Sequence, residues 1–269
     1  MTLTRRDLQY DAAVRNVWTS VLGRVGTTWK RLGSWRGSDV AKFQRTALPI
    51  LAGGQRQVAT LTATYLEQLY AEIAGRPSRV DVDMSRVTGR ALRGVDPSDV
   101  YERPFKDVWT ALSQDEPLDV ALERGASRLD TLLKTDLQLT RTHTARDVAD
   151  QQPQVSYTVR EPIGEYNCAL CLIASTQRYR KKDLLPIHPG CDCLVKIVRS
   201  DYDPGQVVDE ARLQAIHDAV AAELGDYDRS GRAIDYRKVI VTNDHGEIGP
   251  LLGFAGQHFT SRTDINIPT

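Results

Sequence analysis

All four cysteines of this chain stand between Cys168 and Cys193, and one of its five histidines, His188, stands among them. The pattern is Cys168-x2-Cys171, sixteen residues, then His188-x2-Cys191-x-Cys193. Two ligands two residues apart can reach one ion from a tight turn, and a pair of such turns completes the tetrahedron that Zn2+ accepts. Gly190 suits a turn that needs positive φ. Cys191 and Cys193, at period two, fall on one face of a strand running into Leu194 and Val195. Five candidate ligands compete for four places. The favoured set is Cys168, Cys171, Cys191 and Cys193, with His188 as a substitute or as a group supporting the ligands. Two disulfides, or a reactive thiol, are the alternative uses of the same residues. A full thiolate shell keeps no position for water, whereas a catalytic zinc leaves one open.

Four thiolates around one dication leave a net charge of about minus two, which invites cations. Arg178, Arg180, Lys181 and Lys182 occupy the expected loop between the two halves of the pattern. They read as a solvated loop, as counter-charge, or as a local contact with DNA phosphates. A second polar cluster, Asp244, His245 and Glu247, combines with His188 into the best case for a metal-dependent nuclease or toxin-like enzyme. Its plain reading is a polar turn after the strand-like KVIVT. A zinc-knuckle DNA-binding module is the third possibility, carried only by the basic cluster. No GxSxG, P-loop, HExxH or GxGxxG motif is present in the sequence. The expectation is a protein that works by docking and holds no catalytic residue.

The elements that must position these residues follow from periodicity. Val14, Val17, Trp18, Val21, Leu22, Val25, Trp29 and Leu32 keep the spacing of an amphipathic helix. A second helical run ends at Gly75-Arg76-Pro77. Asp96-Pro97-Ser98 is a helix start, with a capping side chain before a proline in the first turn. The longest candidate helix covers about 118–149, with Leu122, Ala126, Leu129, Leu133, Leu137 and Thr140 on one stripe. After Pro153 the runs VSYTVR (155–160) and CLVKIV (193–198) are β-branched and strand-like. A helix is expected from Pro204 to Gly225, then a strand at 238–243. The predicted fold is α+β: a helical body over 1–152, a metal-knuckle region over 153–200, and a helix plus β-like arm over 201–269. In that arm Leu251, Leu252, Phe254 and Phe259 are the candidate anchors for a partner.

With 35 basic and 35 acidic residues the net charge is zero, which argues against a strong non-specific affinity for nucleic acid or an anionic surface. No segment approaches the ~18 uninterrupted apolar residues of a membrane helix. Synthesis and folding in the cytosol are expected, and in a reducing compartment cysteines serve metals more often than disulfides.

The arrangement Cys-x2-Cys, a spacer, then His-Pro-Gly-Cys-Asp-Cys and an apolar strand resembles the bacteriophage Mu F-like minor head proteins, also called phage head morphogenesis proteins. The helix LTRTHTARDVADQQ (139–152) is similar to the family's helix leading into the cysteines, with His143 where an acidic residue is common. HGEIGPLL and HFTSRTDI near the C-terminus resemble actinobacterial-phage members. The likeness spans 130–265, and its specific part is the cysteine window. It implies a minor structural protein of the virion head, assembled in the host cytoplasm, associated with portal and capsid proteins, and acting in head assembly or DNA delivery.

Overall fold

The computed structural model describes residues 3–163, 169–187, 191–199, 214, 218, 240–245 and 249–254. The fold is α+β, with a mainly helical N-terminal body and small antiparallel sheets. Seven helices are described, α1 (Arg5–Lys30), α2 (Gly37–Ala74), α3 (Met84–Val87), α4 (Pro97–Val100), α5 (Arg103–Ser113), α6 (Leu118–Gln151) and α7 (Ala169–Ala174). The strands are β1 (Val155–Glu161), β2 (Arg178–Arg180), β3 (Leu194–Arg199), β4 (Ile240–His245) and β5 (Gly249–Phe254). Among the described residues no helix is long and apolar enough to cross a membrane. The chain forms two compact units. One comprises Met1–Asp11, Tyr65–Val80 and Ala145–Thr269, the other Ala12–Thr64 and Asp81–Thr144.

The second unit is helical, and its core is aromatic. Trp29 packs edge-on to Phe43 and Phe105, with ring centroids 5.6 and 4.9 Å away, and Trp35 and Trp109 complete the cluster. The Trp109 indole N–H donates to the Trp35 carbonyl at 2.6 Å, which satisfies the one polar group such a ring carries into a core. Gly125 of α6 makes this packing possible. A Cβ at that position would lie 2.6 Å from Val108 Cγ2, 2.8 Å from Trp29 Cζ2 and 2.9 Å from the Pro104 carbonyl oxygen. Asp96 caps α4 as its sequence predicts, accepting from the Ser98 N–H at 2.9 Å with Pro97 in the first turn. The helix that starts there is short, and the chain restarts at Arg103 with Pro104 in the first turn of α5.

From Thr135 to Thr142 every side chain of α6 is buried, so the expected single apolar stripe is in fact a buried circumference. The threonines enter because they bond their own helix: Thr135 donates to the Thr131 carbonyl and Thr140 to that of Asp136. Asp136 is itself satisfied inside the unit by Arg93 Nε at 2.6 Å and the Tyr101 hydroxyl at 2.9 Å.

In the first unit, β2, β1 and β3 form an antiparallel sheet in that order, with Tyr157 opposite Arg180 on one side and Arg160 opposite Val195 on the other. β4 and β5 form a hairpin in register from Ile240 opposite Phe254 to His245 opposite Gly249. α2 ends at Gly75, whose φ of +68° gives the left-handed stop that closes a helix. The helix expected over 204–225 lies outside the described residues except for Gln214 and Asp218, both helical and bonded side chain to side chain at 2.7 Å.

Candidate metal centre

Cys171 sits on the short helix α7, and Cys191 and Cys193 lie in the segment that enters β3. The three Sγ atoms lie within 4.8 Å of one another, and all three residues are buried, at 2–3% exposure. Cys171 and Cys191 sulfurs are 3.5 Å apart, far outside the roughly 2.05 Å of a disulfide. Three thiols from two chain segments meeting at one point could bind a metal ion. Cys168 and His188, the other two ligands read from the sequence, lie outside the described residues.

Apolar packing builds the cluster. Leu170, Ile173 and Ala174 of α7, Tyr179 of β2, Ile187 and Leu252 of β5 bury themselves around the three cysteines. α7 is held by Ser175 and Thr176, whose backbone N–H groups bond the carbonyls of Cys171 and Ile173. Tyr179 reaches back under α7, its hydroxyl donating to the Ala174 carbonyl at 2.8 Å. Burial pushes that phenol up to about 12. The Leu252 N–H donates to the Pro186 carbonyl at 2.9 Å, pinning the β4–β5 hairpin over the cluster.

The Cys193 thiol is held well above its ordinary value. Its hydrogen bond with Cys171 pulls it down, and Arg160 does so to a lesser extent. The hydrogen bond with Cys191, burial, and the nearby Cys191 charge together push it up more strongly. A buried thiol in this setting keeps its proton at neutral pH unless a cation displaces it, so metal uptake here is coupled to proton release.

The residues between the two halves of the cysteine pattern are ordered where the sequence suggested a loop. Arg178, Tyr179 and Arg180 form β2, paired with β1, with the Tyr179 ring buried, Arg178 half-buried and Arg180 exposed. Lys181 and Lys182 follow in a 3-10 turn. Lys181 Nζ donates to the Gln152 carbonyl at 2.7 Å, while Arg180 and Lys182 are exposed. Asp244 and His245 lie on β4 opposite Pro250 and Gly249, and Glu247 lies outside the described residues. Of the four arm residues, Leu251 and Leu252 are buried in the protein's own fold, at 0% and 7% exposure. Phe254 is the last residue of β5, and Phe259 lies outside the described residues.

Two buried charges of the sheet escape a reading of the sequence. Arg160 of β1 is 3% exposed, with its guanidinium carbon 5.4 Å from the centre of the Tyr179 ring and one N–H group on the Leu185 carbonyl. Lys196 of β3 reaches Asp7 of α1 at 2.7 Å, and the Tyr65 hydroxyl donates to the other oxygen of Asp7 at 2.7 Å. The one available signal was a charged residue inside each β-branched run, and periodicity alone does not say that both faces of a strand are covered. Comparisons with protein-family models, with curated proteins and with solved structures each find no match for this chain.

Proposed function

We propose that this chain is a minor structural protein of a tailed-phage head, acting in head assembly or DNA delivery by docking, and that its cysteine cluster holds a structural zinc ion. The observation that carries the metal reading is the meeting of Cys171, Cys191 and Cys193 as buried thiols at one point. Zinc–sulfur bonds of about 2.3 Å place tetrahedral ligands about 3.8 Å apart. The 3.5 Å between the Cys171 and Cys191 sulfurs is close to that edge. Cys168, three residues before Cys171 in the sequence, supplies the fourth thiolate, with His188 as its alternative. Bound there, zinc would cross-link α7 to the segment that enters β3.

The head-protein reading rests on the resemblance of Cys-x2-Cys followed by His-Pro-Gly-Cys-Asp-Cys to the Mu F-like minor head proteins. A buried thiolate set supports a structural role over a hydrolytic one, because a catalytic zinc keeps a position for water. The proposed partners are the phage portal and capsid proteins, met in the host cytoplasm before the chain is carried into the virion head. Exposed Arg180 and Lys182, with Arg178 and Lys181 beside them, are the groups proposed to touch packaged DNA. Because Leu251 and Leu252 are spent on the protein's own core, partner contact through the arm falls to Phe254, Phe259 and the residues around them.

The test is co-expression of the full chain with the portal and capsid proteins of the phage that encodes it, followed by affinity purification and imaging of particles. The reading predicts recovery of the chain with the portal and density at the portal vertex. Particles that assemble and package normally without the chain, together with no recovery on the portal, would overturn it.

A further inference from the structure

We propose that Arg160, and not the exposed Arg180 and Lys182, is the cation that balances the thiolate metal centre, with its Nε–H serving a cysteine sulfur once metal has displaced the thiol protons. This rests on the metal reading above and adds a positioning residue to it.

Burying a guanidinium is costly unless an anion and its hydrogen bonds compensate, so an arginine at 3% exposure demands an explanation. Arg160 donates from its fork to the neutral carbonyl of Leu185 and lies against the ring of Tyr179, itself neutral. Among the described residues its buried Nε–H has no hydrogen-bond partner. Neutral partners hold the side chain in place but leave its charge uncompensated.

Among the described residues, the cysteine cluster is one source of anions close by. Arg160 stands opposite Val195 in the β1–β3 ladder, two residues along β3 from Cys193, and Tyr179, on which it rests, belongs to the side-chain cluster that encloses the three cysteines. Thiolates fit the requirement that the anion appear only when metal binds: as thiols they are neutral, as ligands they carry charge. Four thiolates on a dication leave about two excess negative charges, and three with one imidazole leave about one. A single buried guanidinium offsets much of either. Its field favours losing the thiol protons, so it should set both the affinity of the centre and the pH at which it loads.

The surface cations are less suited to this task. Arg180 and Lys182 are exposed, where solvent and salt screen them, and Lys181 is engaged by the Gln152 carbonyl.

The experiment compares full-length wild type with Arg160→Gln and Arg160→Lys. Apo protein is titrated with Zn2+ against a competing chelator across pH, and far-UV circular dichroism checks the fold. Arg160→Gln should weaken zinc about 10- to 100-fold, the usual size for a group supporting metal ligands, and move half-loading to higher pH. Arg160→Lys should recover the pH of half-loading by restoring the charge. Equal losses in both variants with an unmoved pH midpoint would make Arg160 a packing brace and overturn the inference. An unchanged affinity in Arg160→Gln would do the same while leaving the metal centre standing. A wild type that takes up no zinc overturns the centre and this inference together. Should Arg160→Gln not fold, the wild-type protein still decides: the Arg160 Nε–H resonance must shift on zinc addition, and a resonance that stays put overturns the proposal.

Discussion

Replacing Lys196 by Met removes one partner of a deeply buried ion pair of the first unit, with Lys196 and Asp7 side chains 3% and 2% exposed. In the wild type one Asp7 oxygen accepts from Lys196 at 2.7 Å and the Thr4 N–H at 2.8 Å, and the other accepts from Tyr65 at 2.7 Å. Burial acts to raise the Asp7 carboxyl, but the bonds from Lys196, Thr4 and Tyr65 and the lysine charge outweigh it and hold Asp7 below its ordinary 3.8. Breaking such a pair from one side costs about 3–5 kcal/mol, because a buried charge is left behind. Two of the three donors survive in Lys196→Met, so a loss near the lower end, about 3 kcal/mol, is expected. In Asp7→Asn/Lys196→Met no charge is stranded and the double variant should be more stable than Lys196→Met by about 2 kcal/mol. Urea unfolding followed by circular dichroism measures both. The pH dependence adds an independent check. With a depressed folded pKa, Asp7 contributes stability above pH 3.8 that is lost as pH falls through its folded value, since the unfolded chain then binds the extra proton. Lys196→Met should lack that acid limb. A single variant within about 1 kcal/mol of wild type, or a double variant whose loss is the sum of the two single ones, would refute the reasoning.

Gly125→Ala should lower stability by up to about 2 kcal/mol in urea unfolding, because overpacking against Val108, Trp29 and the rigid Pro104 carbonyl costs about 1–3 kcal/mol and the gain in helix propensity returns about 1. Cys191→Ser should release zinc and open β1, β2 and β3 to hydrogen exchange, while amides around the Trp29–Phe43–Phe105 cluster keep their protection. Ending the chain after Phe254 should leave the melting temperature unchanged and remove portal binding. Ending it before Gly246 should cost about 2–5 kcal/mol in addition, since Leu251 and Leu252 leave a core they fill.

What the sequence disclosed depended on how local each signal was. The Cys-x2-Cys and Cys-x-Cys spacings are short and chemically specific, and Cys171, Cys191 and Cys193 converge as that spacing implies. The long helices α1 and α6, the Asp96 cap and the strands around 155–160 and 193–198 were legible from period and punctuation. α7 and β2, inside the cysteine window, were not, because six- and three-residue elements carry too few periods to register. Thr140 falls on the expected apolar stripe, but a single stripe does not reveal that Thr135 and Thr142 are buried beside it or that Arg141 lies 5.9 Å from the Trp18 ring. Asp7 and Lys196 are 189 positions apart, beyond any local pattern.

The central claim is that the cysteines hold a metal through sulfur. X-ray absorption at the zinc edge of the full chain, purified without chelator, tests it most directly. The account predicts about one zinc per chain, four-coordinate, with at least three sulfurs at about 2.3 Å. Metal-free protein, or zinc bound only by nitrogen and oxygen, would contradict it.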